Sequence, residues 1–247
     1  INPHKFETTD LFFKKDGLAQ RNLQEPEIYD ENEGQVKVLS DLSDNASITW
    51  EKKELNVPEG TNHAMVYDNN RGKVVLFEGG NIETWQWDGT YWVLLNPNNR
   101  PNKKRYDYAM AYDNERGKVV LFGGTDGSIF LTEYYDETWE WNGAEWTLTS
   151  PSTKPSKRTG PAMAYDTINK KTVMFGGSDG SNRNNETWEW NGVNWTQRNP
   201  SSKPSARNDH AMAYDSARGK VVLFGGYSYS GGPVYYNDTW EWDGVNW

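Results

Sequence analysis

The side chains that most often carry enzyme chemistry are scarce in this sequence. Its 247 residues include no cysteine and three histidines, His4, His63 and His210. Without cysteine the chain has no thiol nucleophile, thiolate zinc site or disulfide. His63 and His210 occupy the same position of a repeated segment, where the other copies have Tyr108 and Pro161, so we interpret them as structural. No residue group has the spacing of a catalytic triad or metal site, and we predict no catalytic residue, metal or cofactor.

Acidic residues offer two weak candidates for chemistry. Asp126 and Asp179 lie in the segments TDGS and SDGS. One carboxylate per segment is too few for Ca²⁺, which takes about 6 to 8 oxygen ligands, so we interpret these segments as Asp-Gly turns. Glu78 stands where sister repeats have the first glycine of a glycine pair. It is either the product of drift in a decaying repeat or a carboxylate of a binding site.

Tyrosine-rich insertions favour binding over catalysis. Two of the repeats contain the insertions TDGSIFLTEYYDE (125–137) and YSYSGGPVYYND (227–238), whose rings do not belong to any repeated column. Tyrosine combines a large rigid ring with a hydroxyl, which suits protein or glycan recognition. The alternative is that the rings pack on one another as a self-contained cover. The candidate binding residues are Phe130, Tyr134, Tyr135, Tyr227, Tyr229, Tyr235 and Tyr236.

Charge is unevenly distributed along the chain. The sequence has 35 acidic and 26 basic residues, a net charge of −9, which argues against duplex nucleic acid as a partner. Three Pro-rich segments, 96–107, 150–160 and 198–209, are nevertheless basic, which fits an anionic protein segment or an acidic glycan. Arg105, Arg158 and Arg207 recur there at one position, where they either bind a ligand or bond to nearby carbonyl groups. The bases are Arg100, Lys103, Lys104, Arg105, Lys154, Lys157, Arg158, Arg198, Lys203 and Arg207.

The chain is built from tandem repeats of about 49 residues. The phrase Ala-Met-(Ala or Val)-Tyr-Asp occurs at 64–68, 109–113, 162–166 and 211–215, and a glycine pair follows each copy. Twelve of the thirteen tryptophans fall in three columns spaced by two and then five residues. Rings that recur at identical spacing indicate packing between repeats rather than a ligand site. These tryptophans are Trp85, Trp87, Trp92, Trp139, Trp141, Trp146, Trp188, Trp190, Trp195, Trp240, Trp242 and Trp247.

Each repeat reads as four antiparallel strands, which we call a to d. AMAYD and KVVLF are apolar runs of strand length joined by a polar turn, TWEW alternates large and polar residues, and the last tryptophan opens strand d. Such sheets bury both faces by stacking radially, as in a β-propeller. Antiparallel order places the short a-b and c-d turns at one end and the variable b-c loops and d-a links at the other, where binding residues concentrate.

The glycine pair after strand b, the tyrosine upstream, the tryptophan opening strand d and the arginine before strand a together resemble kelch repeats. The resemblance covers residues 60–247 and implies an all-β, kelch-type propeller. We expect one domain over 1–247, with clear repeats at 61–104, 105–157, 158–206 and 207–247 and a degenerate first blade with a closing strand in 1–60. In the latter, EIYDENEGQVKVLSD (27–41) resembles strands a and b, and Trp50 is a candidate start of strand d.

The count of repeats predicts about five four-stranded blades, or six if LFFKKDGLAQRN (11–22) is a remnant of another repeat. The last repeat ends at the tryptophan that opens its strand d, and an open edge invites aggregation. We therefore expect part of residues 5–22 to pair beside Trp242 or Trp247 and to close the ring.

The sequence thus predicts a non-catalytic binding module that recognises a protein segment or glycan through b-c loops and d-a links. The repeats resemble those of bacterial surface kelch proteins, which implies an extracellular or cell-surface location. No apolar stretch is long enough for a membrane span. The alternative is a kelch-type sugar-active enzyme of the mutarotase kind, or a carbohydrate-binding domain accessory to an enzyme. Polar residues converging at the mouth of the central channel would favour an enzyme, and polar residues spread over the loops a binding module.

Overall fold

A computed structural model describes residues 27–30, 35–38, 62–128, 131–229 and 231–247. The chain forms two compact units, Ile1–Lys53 and Glu54–Trp247. The described part of the first unit is an antiparallel hairpin of β1 (Glu27–Asp30) and β2 (Gln35–Val38). Its assignment as strands a and b of a degenerate blade stays a prediction. The predicted strand d at Trp50 and the closing segment 5–22 lie outside the described residues.

The second unit contains four blades, and the described residues form only strands, turns and irregular segments, which confirms the all-β prediction. Within them there is no helix long and apolar enough to cross a membrane. Blade I consists of β3 (His63–Asp68), β4 (Lys73–Glu78), β5 (Glu83–Trp87) and β6 (Trp92–Leu95). Blade II consists of β7 (Ala109–Asp113), β8 (Lys118–Phe122), β9 (Thr138–Trp141) and β10 (Trp146–Leu148).

Blade III repeats this order with β11 (Ala162–Asp166), β12 (Lys171–Phe175), β13 (Thr187–Trp190) and β14 (Trp195–Arg198). Blade IV has three strands, β15 (Ala211–Asp215), β16 (Lys220–Phe224) and β19 (Thr239–Trp242). Its b-c loop forms a separate hairpin of β17 (Tyr227–Tyr229) and β18 (Pro233–Tyr235). The sequence predicts five blades; the described residues contain four, and of the predicted degenerate blade they contain only the hairpin β1–β2.

Strand a is the inner strand of the four described blades. Neighbouring a strands contact one another from β3 through β7 and β11 to β15. Residues of these four strands and of the turns after them line a central cavity of about 640 Å³. The repeated AMAYD phrase therefore lines the inner surface that the four described blades share.

In blades II, III and IV a tryptophan joins the blade to the one before it. The Trp146 indole Nε1 donates a hydrogen bond of 2.8 Å to the Thr84 hydroxyl of blade I, and its ring packs edge-on against Phe77 with centroids 5.4 Å apart. Trp195 and Trp247 repeat both contacts with the preceding blade, and their indole–threonine distances are also 2.8 Å. The prediction that these tryptophans pack between blades is confirmed.

The two outermost blades show what that packing contributes to burial. Phe77, Phe122 and Phe175 are fully buried beneath the tryptophan of the next blade. Phe224, at the same position of blade IV, is 55% exposed within the described residues, and Tyr67 of blade I is also 55% exposed. The same sequence position is therefore buried where another described blade packs against it and exposed where none does.

Candidate ligand-binding face

The b-c loops and the d-a links meet on one face of the propeller, as their strand order predicts. In blade II, Thr125 of the b-c loop pairs with Tyr106 of the link on one side and with Tyr134 on the other. In blade III, Ser178 pairs in the same way with Thr159 and Arg183. The variable segments thus form small ordered sheets on a common surface, which we call the loop face.

The three predicted arginines lie inside this layer rather than on it. Arg105, Arg158 and Arg207 are fully buried. Each guanidinium donates to the carbonyl of the first glycine of its own blade, at 2.6, 3.0 and 2.9 Å respectively. Each also pairs with the acidic residue just before strand c, at 2.5, 2.6 and 2.5 Å, and these acids are Glu137, Glu186 and Asp238. Their predicted role as ligand-binding residues stays a prediction, whereas their bonds to carbonyl groups are seen directly.

These ion pairs fix the start of strand c. The carboxylate that accepts from the arginine also accepts the indole N–H of the first tryptophan column, at 3.0 Å in Trp139 and Trp188 and at 2.8 Å in Trp240. In blade IV the hydrogen bonds from Arg207 lower the pKa of Asp238 to about 2. A buried guanidinium held by a carboxylate and a carbonyl has its charge compensated, which makes its burial possible.

Two of the predicted tyrosines cover these arginines. The Tyr135 ring lies 4.5 Å from the guanidinium carbon of Arg105, and the Tyr236 ring lies 4.0 Å from that of Arg207. Tyr135 is 4% exposed and Tyr236 is partly buried. Both stand two residues before the acid that pairs with the arginine, so they do share a repeat position, contrary to the sequence interpretation. That position was hidden because the loops before it differ in length.

Tyr134 connects two blades. Its hydroxyl would lie 2.4 Å from a Cβ placed on Gly180, so the ring of the blade II loop rests on the backbone of the blade III loop. A side chain at position 180 would displace it. Phe130, the remaining aromatic candidate of this insertion, lies outside the described residues.

The exposed aromatic surface is on the hairpin β17–β18. Tyr227 pairs with Tyr235 and Tyr229 pairs with Pro233, so all four side chains lie on one side of the hairpin. Tyr229 is 62% exposed and Tyr235 is 79% exposed, while the Tyr227 and Tyr235 rings lie 6.2 Å apart. We call this set, Tyr227, Tyr229, Pro233 and Tyr235, the hairpin face.

Arg183 supports the hairpin face from blade III, and sequence analysis did not single it out. Its Nη2 donates a 3.1 Å hydrogen bond to the Tyr227 hydroxyl, and its guanidinium carbon lies 5.3 Å from the Tyr227 ring centre. Its Nε donates to the Asn208 side-chain oxygen at 3.1 Å. A signal was present in the sequence, because Arg183 is the one basic residue in the b-c loops of the four clear repeats.

Nearby carboxylates neutralise part of the positive charge of the d-a links. Lys103 pairs with Glu133 at 2.6 Å, Lys154 with Asp136 at 2.9 Å, and Arg198 approaches Glu189 at 3.4 Å. With the three buried arginines, six of the ten predicted bases have carboxylate partners. Among the described residues, the bases that make no ion pair are Arg100, Lys104, Lys157 and Lys203.

Glu78 lies apart from the tyrosines, at the loop end of blade I. It pairs across the sheet with His63 on one side and Glu83 on the other, and it is 3% exposed. The Asn81 amide donates a 3.0 Å hydrogen bond to its carboxylate. Burial and the nearby Glu83 raise the pKa of Glu78. Its role as a binding residue stays a prediction.

Comparison with known proteins gives one family. The family model for the KLHDC2/KLHL20/DRC7 Kelch-repeats domain matches residues 81–247. A search of curated proteins finds no significant match. Many solved structures match, among them a structure of YjhT, with a TM-score of 0.57, 12% sequence identity and coverage of 86% of this chain and 70% of that chain. At that identity the likeness shows the fold alone.

Proposed function

Because the chain belongs to the kelch-repeat family of β-propellers, we propose that it acts as a non-catalytic binding module that recognises a protein segment through its loop face. The kelch fold supports a protein-interaction or binding module in general. The class of ligand and the residues that contact it are our inference, and the structure of the loop face supports that inference.

The hairpin face is the observation that carries the proposal. Tyr229 and Tyr235 present large rings to solvent on a hairpin anchored at its base, where Asn208 and Tyr227 exchange backbone hydrogen bonds of 3.0 Å. Exposed tyrosines on an anchored support lose little conformational entropy when a ligand covers them, and their hydroxyls offer hydrogen bonds to it. In the described residues no other b-c loop exposes two tyrosines.

A protein segment fits this surface better than a strongly anionic ligand. Within the described part of the chain, four of the ten predicted bases make no ion pair, so an electrostatic contribution is modest. The rings, their hydroxyls and the exposed Pro233 beside them offer apolar area and hydrogen bonds to an extended peptide. A neutral or acidic glycan, which the tyrosines could also stack on, is the other outcome of the test.

The test screens the purified protein against a random peptide library and a glycan array, then measures the affinity of each ligand found. The double variant Tyr229→Ser/Tyr235→Ser should weaken a peptide ligand at least tenfold, since it removes the two most exposed rings of the hairpin face. Tyr91→Ser is the matched control, because Tyr91 is 55% exposed in a c-d turn on the opposite face. Equal effects of the two substitutions, or binding unchanged in the double variant, would overturn the proposal.

We also propose an extracellular or cell-surface location, supported by the resemblance of the tandem repeats to those of bacterial surface kelch proteins. Fractionation of the native host with an antibody against the protein tests it. Recovery from the cytoplasm alone would contradict it.

A further inference from the structure

His210 is a buried imidazole wedged between the glycines of two adjacent blades. It is 7% exposed, and its ring packs edge-on against Phe175 with centroids 5.6 Å apart. A Cβ placed on Gly176 of blade III would lie 2.9 Å from its Cε1, and one placed on Gly226 of blade IV would lie 2.8 Å from its Cβ. The side chain therefore fills the space where the two b-c loops begin.

The wedge offers little compensation for a positive charge: the Phe175 backbone favours the protonated imidazole, but burial and the nearby Arg207 outweigh it. The ring faces the Phe175 carbonyl, yet neither nitrogen reaches a partner in hydrogen-bond geometry among the described residues. Burial, and then the positive charge of Arg207, lower the pKa of His210 to about 4. Asp238, the acid near this cluster, is engaged by Arg207 itself. The pKa of Asp209 is raised by burial and by Asp107, although Arg183 opposes that shift.

The same position in the sister blades holds residues that gain no charge in acid. Tyr108 fills the wedge between blades I and II, where its hydroxyl donates a 2.5 Å hydrogen bond to the Phe77 carbonyl and accepts the Ala64 N–H at 3.1 Å. Burial keeps the pKa of Tyr108 well above its usual value. Pro161 stands there in blade III and has no titratable group. Of the three wedges that join described blades, the one beside the hairpin face is thus the one that holds a group able to gain a positive charge in acid.

Opening this wedge would affect both halves of the binding surface. Gly176 begins the loop that carries Arg183, and Gly226 directly precedes β17, which carries Tyr227. The hydrogen bond from Arg183 to the Tyr227 hydroxyl spans the two loops. A charged imidazolium requires water, and water can reach it only if these loops move apart.

We propose that His210 is an acid-sensitive switch that separates the blade III and blade IV loops when it is protonated and thereby disassembles the hairpin face. Ligand release in acid follows, and that part rests on the function proposed above. The structural part, opening of the two loops, does not require a ligand.

Amide hydrogen exchange of the free protein tests the structural part. If His210 regains an ordinary pKa of 6.5 when the loops open, linkage predicts that the opened population rises about twentyfold at about pH 5 relative to about pH 7. After correction for intrinsic exchange rates, residues 225–236 should lose protection by that factor. The blade II loop, residues 123–137, is the internal control and should not change.

His210→Tyr is the matched variant, because it copies the wedge that Tyr108 fills between blades I and II. The variant should keep its protection at about pH 5, and His210→Phe, which lacks the hydroxyl, should behave the same way. Acid opening that persists in both variants would overturn the switch, as would an equal loss of protection throughout blades II and III. In binding assays, acid opening without ligand release would contradict the hairpin face as the site while leaving the switch intact.

Discussion

Arg105, Arg158 and Arg207 show how a charged residue at a repeated position can serve the fold. Each is fully buried and joins a carboxylate, a glycine carbonyl and, through the carboxylate, an indole N–H. The sequence revealed the position and its charge but not its burial, because burial depends on an acid that lies 28 to 32 residues later. Loops of different length separate the two partners.

Arg158→Ala should lower the free energy of unfolding by about 3 kcal/mol, because Glu186 and the Gly176 carbonyl lose a buried partner. Lys157→Ala changes the neighbouring exposed base and should cost less than about 0.5 kcal/mol. Urea denaturation followed by tryptophan fluorescence measures both. Similar losses in the two variants would show that burial of the guanidinium contributes nothing specific.

At the scale of the elements, the strands of the repeated blade could be predicted from the sequence, and the structure of the inserted b-c loops could not. Strand order, the turns and the packing role of the tryptophans follow from the constant spacing of the repeated residues. An aromatic ring that recurs at the same position of every repeat is best explained by packing between repeats. The hairpin β17–β18 did not follow, because YSYSGGPVYYND occurs once and has no sister to compare. Tyr135 and Tyr236 were grouped with the ligand-facing rings although they stack on buried arginines.

The bond between Trp195 and Thr138 should contribute measurable coupling between blades II and III. Trp195→Phe removes the indole donor, and Thr138→Val removes the acceptor while keeping the side-chain shape. Each single variant should lose about 1 to 2 kcal/mol, because a buried polar group is left unpaired, and the double variant should lose less than the sum. A double-mutant cycle by urea denaturation measures the coupling, which should be about 1 kcal/mol. Strict additivity would mean that the hydrogen bond has no net effect.

For the molecule as a whole, stability should fall in two steps as the pH decreases. His210 is held neutral with a pKa of about 4 against an ordinary 6.5, so its contribution is complete above about pH 6.5 and is lost as the pH falls towards 4. At about pH 5 the loss is about 2 kcal/mol. The pKa values of Glu137, Glu186 and Asp238 are lowered, so their contribution is lost at lower pH, down to about pH 2 for Asp238.

Chemical denaturation across this pH range separates the two steps. His210→Tyr should abolish the first step and leave the second in place. If the variant and the parent protein lost stability in parallel between pH 6.5 and 4, another group would be responsible for the first step.

Each described blade also contains a close pair of tryptophans that should give a spectroscopic signal of its own. The second and third tryptophan columns bring two indoles together at 5.5 to 5.6 Å, in the pairs Trp87–Trp92, Trp141–Trp146, Trp190–Trp195 and Trp242–Trp247. Indoles this close, tilted by 39 to 46° to one another, couple their electronic transitions and give paired circular dichroism bands of opposite sign. In blades I to III the partners lie on adjacent strands c and d, so there the signal reports the pairing of those strands. Replacing one indole in a single pair therefore lets a spectrometer follow the assembly of one blade at a time.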